Sequence, residues 1–279
     1  MIDTKIFGDH VTSWCPGCGN HDVLPAVKEA LARQDIEPHQ FVMVSGIGQA
    51  AKIVHYLNCN GFNGLHGRAL PPAQAIKLSN PELTVLVESG DGCSYGEGGN
   101  HFLAAIRRNV NITLIVHDNQ IYGLTKGQSS PTTMTGHVTK NHPLGVVDQP
   151  FNPVAVAMRA GFVARSFSGL REHAVATIVQ AIEHPGFALV DMHSPCVSFN
   201  KVNTFGWYKA RCKEATHDPR DWAAAMNVAT VFGEEIPIGV LYREERPSKD
   251  AVLPQCRAGA LYRRPVDMDG VRRLMLAYA

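Results

Sequence analysis

Short apolar runs alternate along the chain with segments whose apolar residues recur at helical spacing. The runs rich in β-branched and aromatic residues predict strands over 41–45, 83–89, 112–118, 161–165 and 187–193. Helical periodicity between these runs predicts helices near 22–33, 49–57, 71–78, 99–108, 153–160 and 170–183. In the first helix Asp22 stands at a cap position, and Leu24, Val27 and Leu31 form one apolar stripe. Strands that alternate with helices predict an α/β fold, with a mostly parallel sheet and helices on both faces.

The pattern loosens beyond about residue 200. A short helix is predicted around 221–232 and a strand over 238–244, and a charged segment that contains proline follows them. We interpret this last segment as an arm or a frayed extension of the fold.

Composition narrows the choice of function classes. The 279 residues suffice for one large α/β domain or two small ones, and 26 basic against 25 acidic residues indicate neither a nucleic acid nor a membrane surface as partner. No apolar run approaches the roughly 20 residues that span a bilayer, and the N-terminus lacks a signal-peptide pattern. We therefore expect a cytoplasmic protein, in which the seven cysteines favour metal or redox chemistry over disulfides.

Two polar turns follow two of the predicted strands. LTVLVES runs into Gly90-Asp91-Gly92, and ITLIVHD runs into Asn119 and the residues after it. With one helix crossing between parallel strands, both turns emerge at the same edge of the sheet. Singly, Asp91 and Asn119 read as turn residues; as a pair they favour a Mg²⁺–diphosphate site, because Mg²⁺ prefers oxygen ligands and the glycines admit phosphate close to the backbone. Nucleotide-binding glycine motifs of the G-x-G-x-x-G or P-loop type cannot be read here.

A glycine–aspartate–glycine turn followed 28 positions later by asparagine (119 − 91 = 28) resembles the diphosphate signature of thiamine-diphosphate enzymes. The surrounding segments narrow the resemblance to the β subunit of the 2-oxoacid:ferredoxin oxidoreductases, over roughly residues 10–247. The segments that carry it are WCPGCGNHD, VSGIGQAAKIVHY, LHGRALPPAQAIKLSNPEL, GDGCSYGEGGNHFLAAIRRN, HDNQIYGLTKGQSSPTT and IPIGVLYREERP.

The resemblance implies a three-layer thiamine-diphosphate-binding fold over residues 1–247, including an N-terminal cluster-binding segment, with 248–279 as a tail. It implies that Asp91 and Asn119 bind Mg²⁺ through their side chains and Ile121 through its carbonyl. The residues implied to bind thiamine diphosphate are Ser45, Gly46, Ile47, Gly48, His66, Gly90, Gly92, Cys93, Tyr122, Gly123, Leu124 and Thr125. In this family the glutamate that activates the cofactor belongs to an α subunit, so we expect this chain to be inactive alone and to work in a heterodimer or a dimer of heterodimers.

The pair Cys15-Pro-Gly-Cys18 fits three kinds of site. A zinc ribbon needs a second C-x-x-C, which the sequence lacks. A thioredoxin-type site expects a strand just before the motif, and DHVTS is a poor strand. The third interpretation is half of an iron–sulfur site, which needs four ligands in total.

The family supplies that third interpretation, a [4Fe–4S] cluster. Its ligands would be Cys15, Cys18 and the distal Cys196 in HSPCVSFN, but Gln49 stands where the fourth cysteine is expected. Three alternatives remain: a non-cysteine fourth ligand, substitution by Cys59 or Cys93, or a labile or lost cluster. Cys212 and Cys256 are interpreted as small apolar residues.

The implied reaction is oxidative decarboxylation of a 2-oxoacid with coenzyme A, yielding acyl-CoA and CO₂ and reducing ferredoxin. Lys52, His66, Arg68 and Lys126 are candidate cationic partners of the substrate, and a lysine beside the cofactor loop favours a dicarboxylic 2-oxoacid such as 2-oxoglutarate over pyruvate. The alternatives are a non-oxidative thiamine-dependent decarboxylase or synthase subunit, and a non-catalytic electron-transfer or zinc-binding subunit.

Overall fold

A computed structural model describes residues 2–279, and its centre is a sheet of eight strands. The ten strands of the described chain are β1 (Phe41–Ser45), β2 (Asn60–Asn63), β3 (Thr84–Gly90), β4 (Ile112–Asp118), β5 (Ile121–Tyr122), β6 (Gln128–Ser129), β7 (Phe162–Phe167), β8 (Phe187–His193), β9 (Cys212–Glu214) and β10 (Ile236–Arg243). The sheet order is β2-β1-β3-β4-β8-β7-β10-β9, and the first six strands of that order run parallel. Strand β10 is antiparallel to β7, and β5 and β6 form a separate hairpin.

Helices cover both faces of the sheet. The α-helices are α1 (Asn20–Arg33), α2 (Leu70–Ser79), α3 (Gly99–Arg108), α4 (Pro153–Val156), α5 (Arg171–Glu183), α6 (Phe205–Arg211), α7 (Trp222–Thr230), α8 (Lys249–Val252), α9 (Pro254–Arg257) and α10 (Met268–Ala277). One core lies between the sheet and helices α1 and α5, and a second lies between the sheet and helices α2, α3, α4 and α7. Alternate residues of the central strands feed the two cores, as a sheet buried on both faces requires: in β1, Phe41 and Met43 lie in the first core and Val42 and Val44 in the second. The predicted three-layer α/β architecture is confirmed.

The predicted strands are confirmed, and β1, β4 and β8 match their predicted limits. Helix α1 begins at Asn20, two residues before the prediction, with Gly19 at its N-cap, so the prediction that Asp22 caps this helix is wrong. Asp22 lies instead in the first turn, where a negative charge interacts favourably with the helix dipole and stabilises the helix. The apolar stripe of Leu24, Val27 and Leu31 is buried as predicted.

Two predicted helices differ from the structure. Residues 50–56 form a 3₁₀-helix, Ala50–Tyr56, whose tighter turn packs five of its seven residues into the core. The helix predicted over 153–160 ends at Val156, because Ala157 leaves helical geometry and the chain turns towards β7. A single-turn π-helix, Gly92–Glu97, lies between β3 and α3 and has no counterpart in the sequence prediction.

The segment after residue 247 contains short helices, and its first part packs against the domain. Asp250 is buried and accepts a hydrogen bond from the backbone N–H of Asn111, while the Cys256 thiol donates to the carbonyl of Leu78. Helix α10 has no buried residue. The proposed boundary at residue 247 stays a prediction. Within residues 2–279, no helix combines the length and the apolar character needed to cross a membrane.

Candidate active site

The two polar turns meet at the carboxyl edge of the sheet. Strands β3 and β4 are parallel neighbours, with Gly90 paired to His117 at the last register position. Asp91 follows the first strand and Asn119 the second, and both border one cavity. The residues that line this diphosphate cavity are Ile47, Gly48, Gln49, Ala50, His66, Gly90, Asp91, Gly92, Cys93, Asn119, Ile121, Tyr122, Gly123, Leu124 and Thr125.

Asp91 is a buried carboxyl group at the floor of this cavity. It is only 2% exposed, and burial raises its pKa although the Thr132 hydroxyl lies 2.7 Å from its Oδ2. A buried carboxylate is costly without a partner of opposite charge, so this position favours a bound cation. Asn119 brings a second oxygen to the same cavity: its Oδ1 accepts the backbone N–H of Ile121 at 3.0 Å, and an amide oxygen has a further lone pair to offer.

The glycines of the cavity are required by close approach. A Cβ on Gly92 would lie 2.2 Å from the ring of Tyr122, whose hydroxyl donates to the Gly92 carbonyl at 3.1 Å. Gly48 has a φ of +123°, a conformation that residues with side chains rarely adopt. Gly92 is therefore required by the packing of Tyr122. A Cβ on Gly48 or Gly90 would meet nothing closer than 3.9 Å, so the backbone there is open to a diphosphate, with oxygen donors for Mg²⁺ beside it. The residues present fit a magnesium–diphosphate group.

The structure brings together ten of the twelve residues predicted to bind thiamine diphosphate. Ser45 and Gly46 lie behind the cavity rather than on it, because both are held by Asn63: its Nδ2 donates to Ser45 Oγ at 2.8 Å and to the Gly46 carbonyl at 2.7 Å. His66 borders the cavity, and its buried Nδ1 has no hydrogen-bond partner within residues 2–279. The Cys93 sulfur accepts the backbone N–H of Gly67 at 3.1 Å, so this residue supports the cavity wall.

A second cavity, of about 200 Å³, gathers the predicted cluster cysteines. Cys15 is exposed, Cys18 half-buried and Cys196 buried, and all three line it. Burial, with smaller contributions from the neighbouring Cys196 and Cys15, raises the pKa of the Cys18 thiol to about 11. A thiol whose pKa is raised by burial is unreactive, which argues against a free nucleophile at this position. The structure places the three predicted ligands on the wall of one cavity, and the cluster itself stays a prediction.

Gln49 completes the wall of this cysteine cavity. Its backbone carbonyl accepts the indole N–H of Trp14 at 2.7 Å, while its side-chain Oε1 is buried and has no hydrogen-bond partner in the described chain. Cys93 borders the diphosphate cavity and Cys59 packs against the first core, so neither borders the cysteine cavity. The alternative that Cys59 or Cys93 replaces the missing cysteine therefore has no support from the geometry. The two cavities adjoin and share Gln49, Asn119, Gly123 and Leu124.

The candidate substrate cations are dispersed. Lys52 donates to Ser13 Oγ at 3.0 Å, and the exposed Arg68 contacts the ring of His101, so neither borders the diphosphate cavity. Lys126 is exposed and has a φ of +75°. It borders the cysteine cavity. Of the four candidates, His66 alone lines the diphosphate cavity.

Thr132 is a site residue that sequence reasoning missed. Its hydroxyl lies between Asp91 Oδ2 and Asp118 Oδ1, at 2.7 and 2.8 Å, and holds the floor of the cavity. Thr133 adds a hydrogen bond of 2.6 Å to the carbonyl of Gln120. Thr132 lies in the run Ser-Ser-Pro-Thr-Thr after the second turn. This run has neither periodicity nor charge, so nothing in the sequence marked Thr132 as a site residue.

Two protein-family models match the chain. Residues 39–192 match the thiamine pyrophosphate enzyme C-terminal TPP binding domain, and residues 196–258 match the family of C-terminal regions of the pyruvate ferredoxin oxidoreductase beta subunit. Thiamine pyrophosphate is another name for thiamine diphosphate.

Relatives extend these matches to most of the chain. Subunit beta of 2-oxoacid:ferredoxin oxidoreductase 1 from Aeropyrum pernix is 40% identical over 88% of this chain and 80% of its own length. The 2-oxoglutarate oxidoreductase subunit KorB of Mycobacterium tuberculosis is 41% identical over 69% of this chain and 52% of its own length. A solved structure, the 2-oxoglutarate:ferredoxin oxidoreductase from Magnetococcus marinus with 2-oxoglutarate, coenzyme A and succinyl-CoA bound, superposes with a TM-score of 0.92 at 35% identity, covering 99% of this chain and 96% of that chain. With its thiamine diphosphate-binding domain and its three-layer fold, the chain belongs to the family of β subunits of the 2-oxoacid:ferredoxin oxidoreductases.

Proposed function

We propose that this β subunit holds the magnesium–diphosphate end of thiamine diphosphate in an enzyme that oxidises 2-oxoglutarate with coenzyme A and reduces ferredoxin. The observation that carries the proposal is the shared wall between the diphosphate cavity and the cysteine cavity. A decarboxylase that released no electrons would need no such neighbour.

Within the diphosphate cavity, Asp91 and Asn119 would hold Mg²⁺ through side-chain oxygens and Ile121 through its carbonyl. Tyr122, anchored on Gly92, would cover the diphosphate and exclude water from it. When bound, thiamine diphosphate supplies an electron sink for the carbanion left by decarboxylation.

Cys15, Cys18 and Cys196 would hold an iron–sulfur cluster in the neighbouring cavity, in position to receive electrons for ferredoxin. Gln49 would face the fourth iron with the unpartnered Oε1. Because an amide oxygen is a harder and weaker ligand for such iron than a thiolate, this position would be the weak point of the cluster.

The acid that activates the cofactor would come from an α subunit, and the proposal is tested with and without that partner. We expect the purified αβ complex to reduce ferredoxin when given 2-oxoglutarate and coenzyme A, and the isolated chain to turn over no 2-oxoacid. Carbon dioxide release without ferredoxin reduction by the complex would favour a non-oxidative decarboxylase instead. Turnover by the isolated chain would contradict the proposal that the α subunit supplies the activating acid.

The choice of 2-oxoglutarate is supported by two relatives named for that substrate and by one exposed cation. Lys126 stands at the edge of the cysteine cavity, next to residues shared with the diphosphate cavity. From there a lysine would reach a second carboxylate of a substrate bound at the interface with the α subunit.

We expect Lys126→Met to lower kcat/KM for 2-oxoglutarate by roughly 10–100-fold, the worth of a charge-assisted hydrogen bond of ~1.5–3 kcal/mol, and to leave turnover of pyruvate nearly unchanged. Methionine removes the charge, is an unbranched side chain one atom shorter than lysine, and keeps the same backbone strain at this position. Lys140→Met on the same loop region is the matched control, since Lys140 is also exposed but borders neither cavity. Equal losses for both substrates, or a wild-type complex that prefers pyruvate, would show that Lys126 does not select the substrate.

A further inference from the structure

A third cavity, of about 360 Å³, lies beneath the diphosphate cavity and shares no residue with it. Three of its lining side chains form a compact group: Asp118 at the end of β4, and Asp191 and His193 in β8. One ligand atom from each of the three lies within 4.8 Å of the others, and all three residues are at most 2% exposed.

His193 is the unusual member of this group. Both of its ring nitrogens are buried and have no hydrogen-bond partner among the described residues, although Nδ1 lies 3.7 Å from Asp118 Oδ2. That separation is beyond a hydrogen bond but suits two ligands of one ion. The ring is stacked on Tyr208 and packs edge-on against Phe232, and these contacts hold it at the wall of the cavity. Burial and the nearby Arg165 lower the pKa of His193, which leaves the ring neutral, the form that binds metals.

Each carboxylate has one oxygen already fixed by a neighbour. Asp191 Oδ1 accepts the Tyr95 hydroxyl at 2.8 Å, and Asp118 Oδ1 accepts the backbone N–H of Gln120 at 3.1 Å. The other oxygen of each is left for a different partner. Metal-binding carboxylates are typically oriented in this way by donors to the non-ligating oxygen.

Within the part of the chain that the structure describes, the cavity lacks enough positive charge to balance its acids. Arg165 lines the same cavity and sets one positive charge against two acids, while its guanidinium donates to the backbone carbonyls of Ala229 and Pro237, at 3.3 and 3.2 Å, and to neither carboxyl group. Thr132 has one proton to share between Asp91 and Asp118. Two buried carboxyl groups beside an unpartnered imidazole therefore offer a cation three donor atoms within 4.8 Å of one another.

We propose that Asp118, Asp191 and His193 bind a divalent transition-metal ion of the Mn²⁺ or Zn²⁺ class, separate from the magnesium at the diphosphate. Two carboxylate oxygens and one imidazole nitrogen form a ligand set that such ions accept, with the remaining positions open to water from the cavity. The ion would bridge β4 and β8 beneath the floor that carries Asp91. This site does not depend on the proposed substrate.

The test uses the αβ complex, treated with a chelator and then supplied with thiamine diphosphate and excess Mg²⁺, so that the diphosphate site is filled. Mn²⁺ is titrated in and followed by electron paramagnetic resonance, with spin-echo detection of nitrogen coupled to the metal. We expect one bound Mn²⁺ per β subunit that shows coupling to a nitrogen. Mn²⁺ that displaced Mg²⁺ at the diphosphate site would have only oxygen ligands from this chain.

In His193→Phe the nitrogen coupling should disappear, and Mn²⁺ affinity at this site should fall at least about tenfold. His184→Phe is the matched control, because His184 is also fully buried with both ring nitrogens unpartnered in the described chain but lies in no such group of acids. If His193→Phe does not fold, Asp191→Asn decides, since it keeps the imidazole and should still weaken binding at least about tenfold. A wild-type complex without nitrogen-coupled Mn²⁺, or unchanged binding in the folded variants, would overturn the proposal.

Discussion

Asp91→Ala is expected to remove thiamine diphosphate from the αβ complex without unfolding it. Asp91 is the anionic side chain among the proposed Mg²⁺ ligands, and its loss leaves a dication and a diphosphate without their anchor on the protein. Removing one partner of a buried charge pair costs about 3–5 kcal/mol, so cofactor affinity should fall roughly a hundredfold to a few thousandfold. The measurement is the cofactor content of the purified complex, together with the cofactor concentration that restores turnover.

The fold should survive this change because the buried carboxylate destabilises the folded protein when no cation is bound. Burial raises the pKa of Asp91, which means that its charged form is disfavoured in the fold until a cation binds. Wild-type Tm should therefore rise on addition of Mg²⁺ and thiamine diphosphate, and the variant's Tm should not. Asp250→Ala is a control for loss of a buried carboxyl group. Asp250 accepts the backbone N–H of Asn111 and does not line the diphosphate cavity. Normal cofactor content in Asp91→Ala would refute the assignment.

Serine in place of Cys15, Cys18 or Cys196 is expected to abolish ferredoxin reduction by the αβ complex. Three thiolates around one cavity leave no spare ligand, so losing any one should release the proposed cluster. The broad visible absorbance of an iron–sulfur protein and the bound iron and sulfide should be lost together. Cofactor binding should persist, because none of the three cysteines lines the diphosphate cavity.

Cys212 and Cys256 provide matched controls, as both are buried free thiols outside this cavity. Serine at either should leave iron content and activity nearly unchanged. Gln49→Cys should lengthen the lifetime of the absorbance in air, because a fourth thiolate would complete the shell. A wild-type complex that reduces ferredoxin without iron would end this interpretation.

The limits of strands and helices were predicted best where burial along the element was most uniform. Strand β4 is buried along its whole length, and its unbroken apolar run marks both ends. Strand β2 was missed because its residues, Asn60–Asn63, are all exposed and carry no alternation. The short edge strand gains its structure from pairing with β1, which is a tertiary contact. Helix α4 was overextended for a similar reason: local propensity over 153–160 yields to the turn that leads into β7.

In the candidate site, too, features set by the sequence pattern were predicted and features set by tertiary contacts were missed. Asp91 and Asn119 could be placed together because parallel strands bring their carboxyl ends to one edge. Lys52 and Arg68 were predicted as cationic partners of the substrate, and that role stays a prediction. In the structure Lys52 donates to Ser13 and Arg68 contacts His101, because proximity in sequence to a cofactor loop does not decide where a long side chain finds its partner. The group of Asp118, Asp191 and His193 was not foreseen, because 191 − 118 = 73 positions separate its two carboxylates along the chain. Only the register of β4 against β8 brings them together.

The wall shared by the two cavities has a consequence for how this chain can change over evolutionary time. Gln49, Asn119, Gly123 and Leu124 each face both sides, so a substitution at any of them alters two binding sites at once. Residues that share partners in this way show strongly non-additive effects when mutated. Gln49 stands where the resemblance expects a cysteine, so Gln49→Cys would change the diphosphate cavity as well as the cysteine cavity. Its effect on each would depend on the residues that share the wall, Asn119, Gly123 and Leu124.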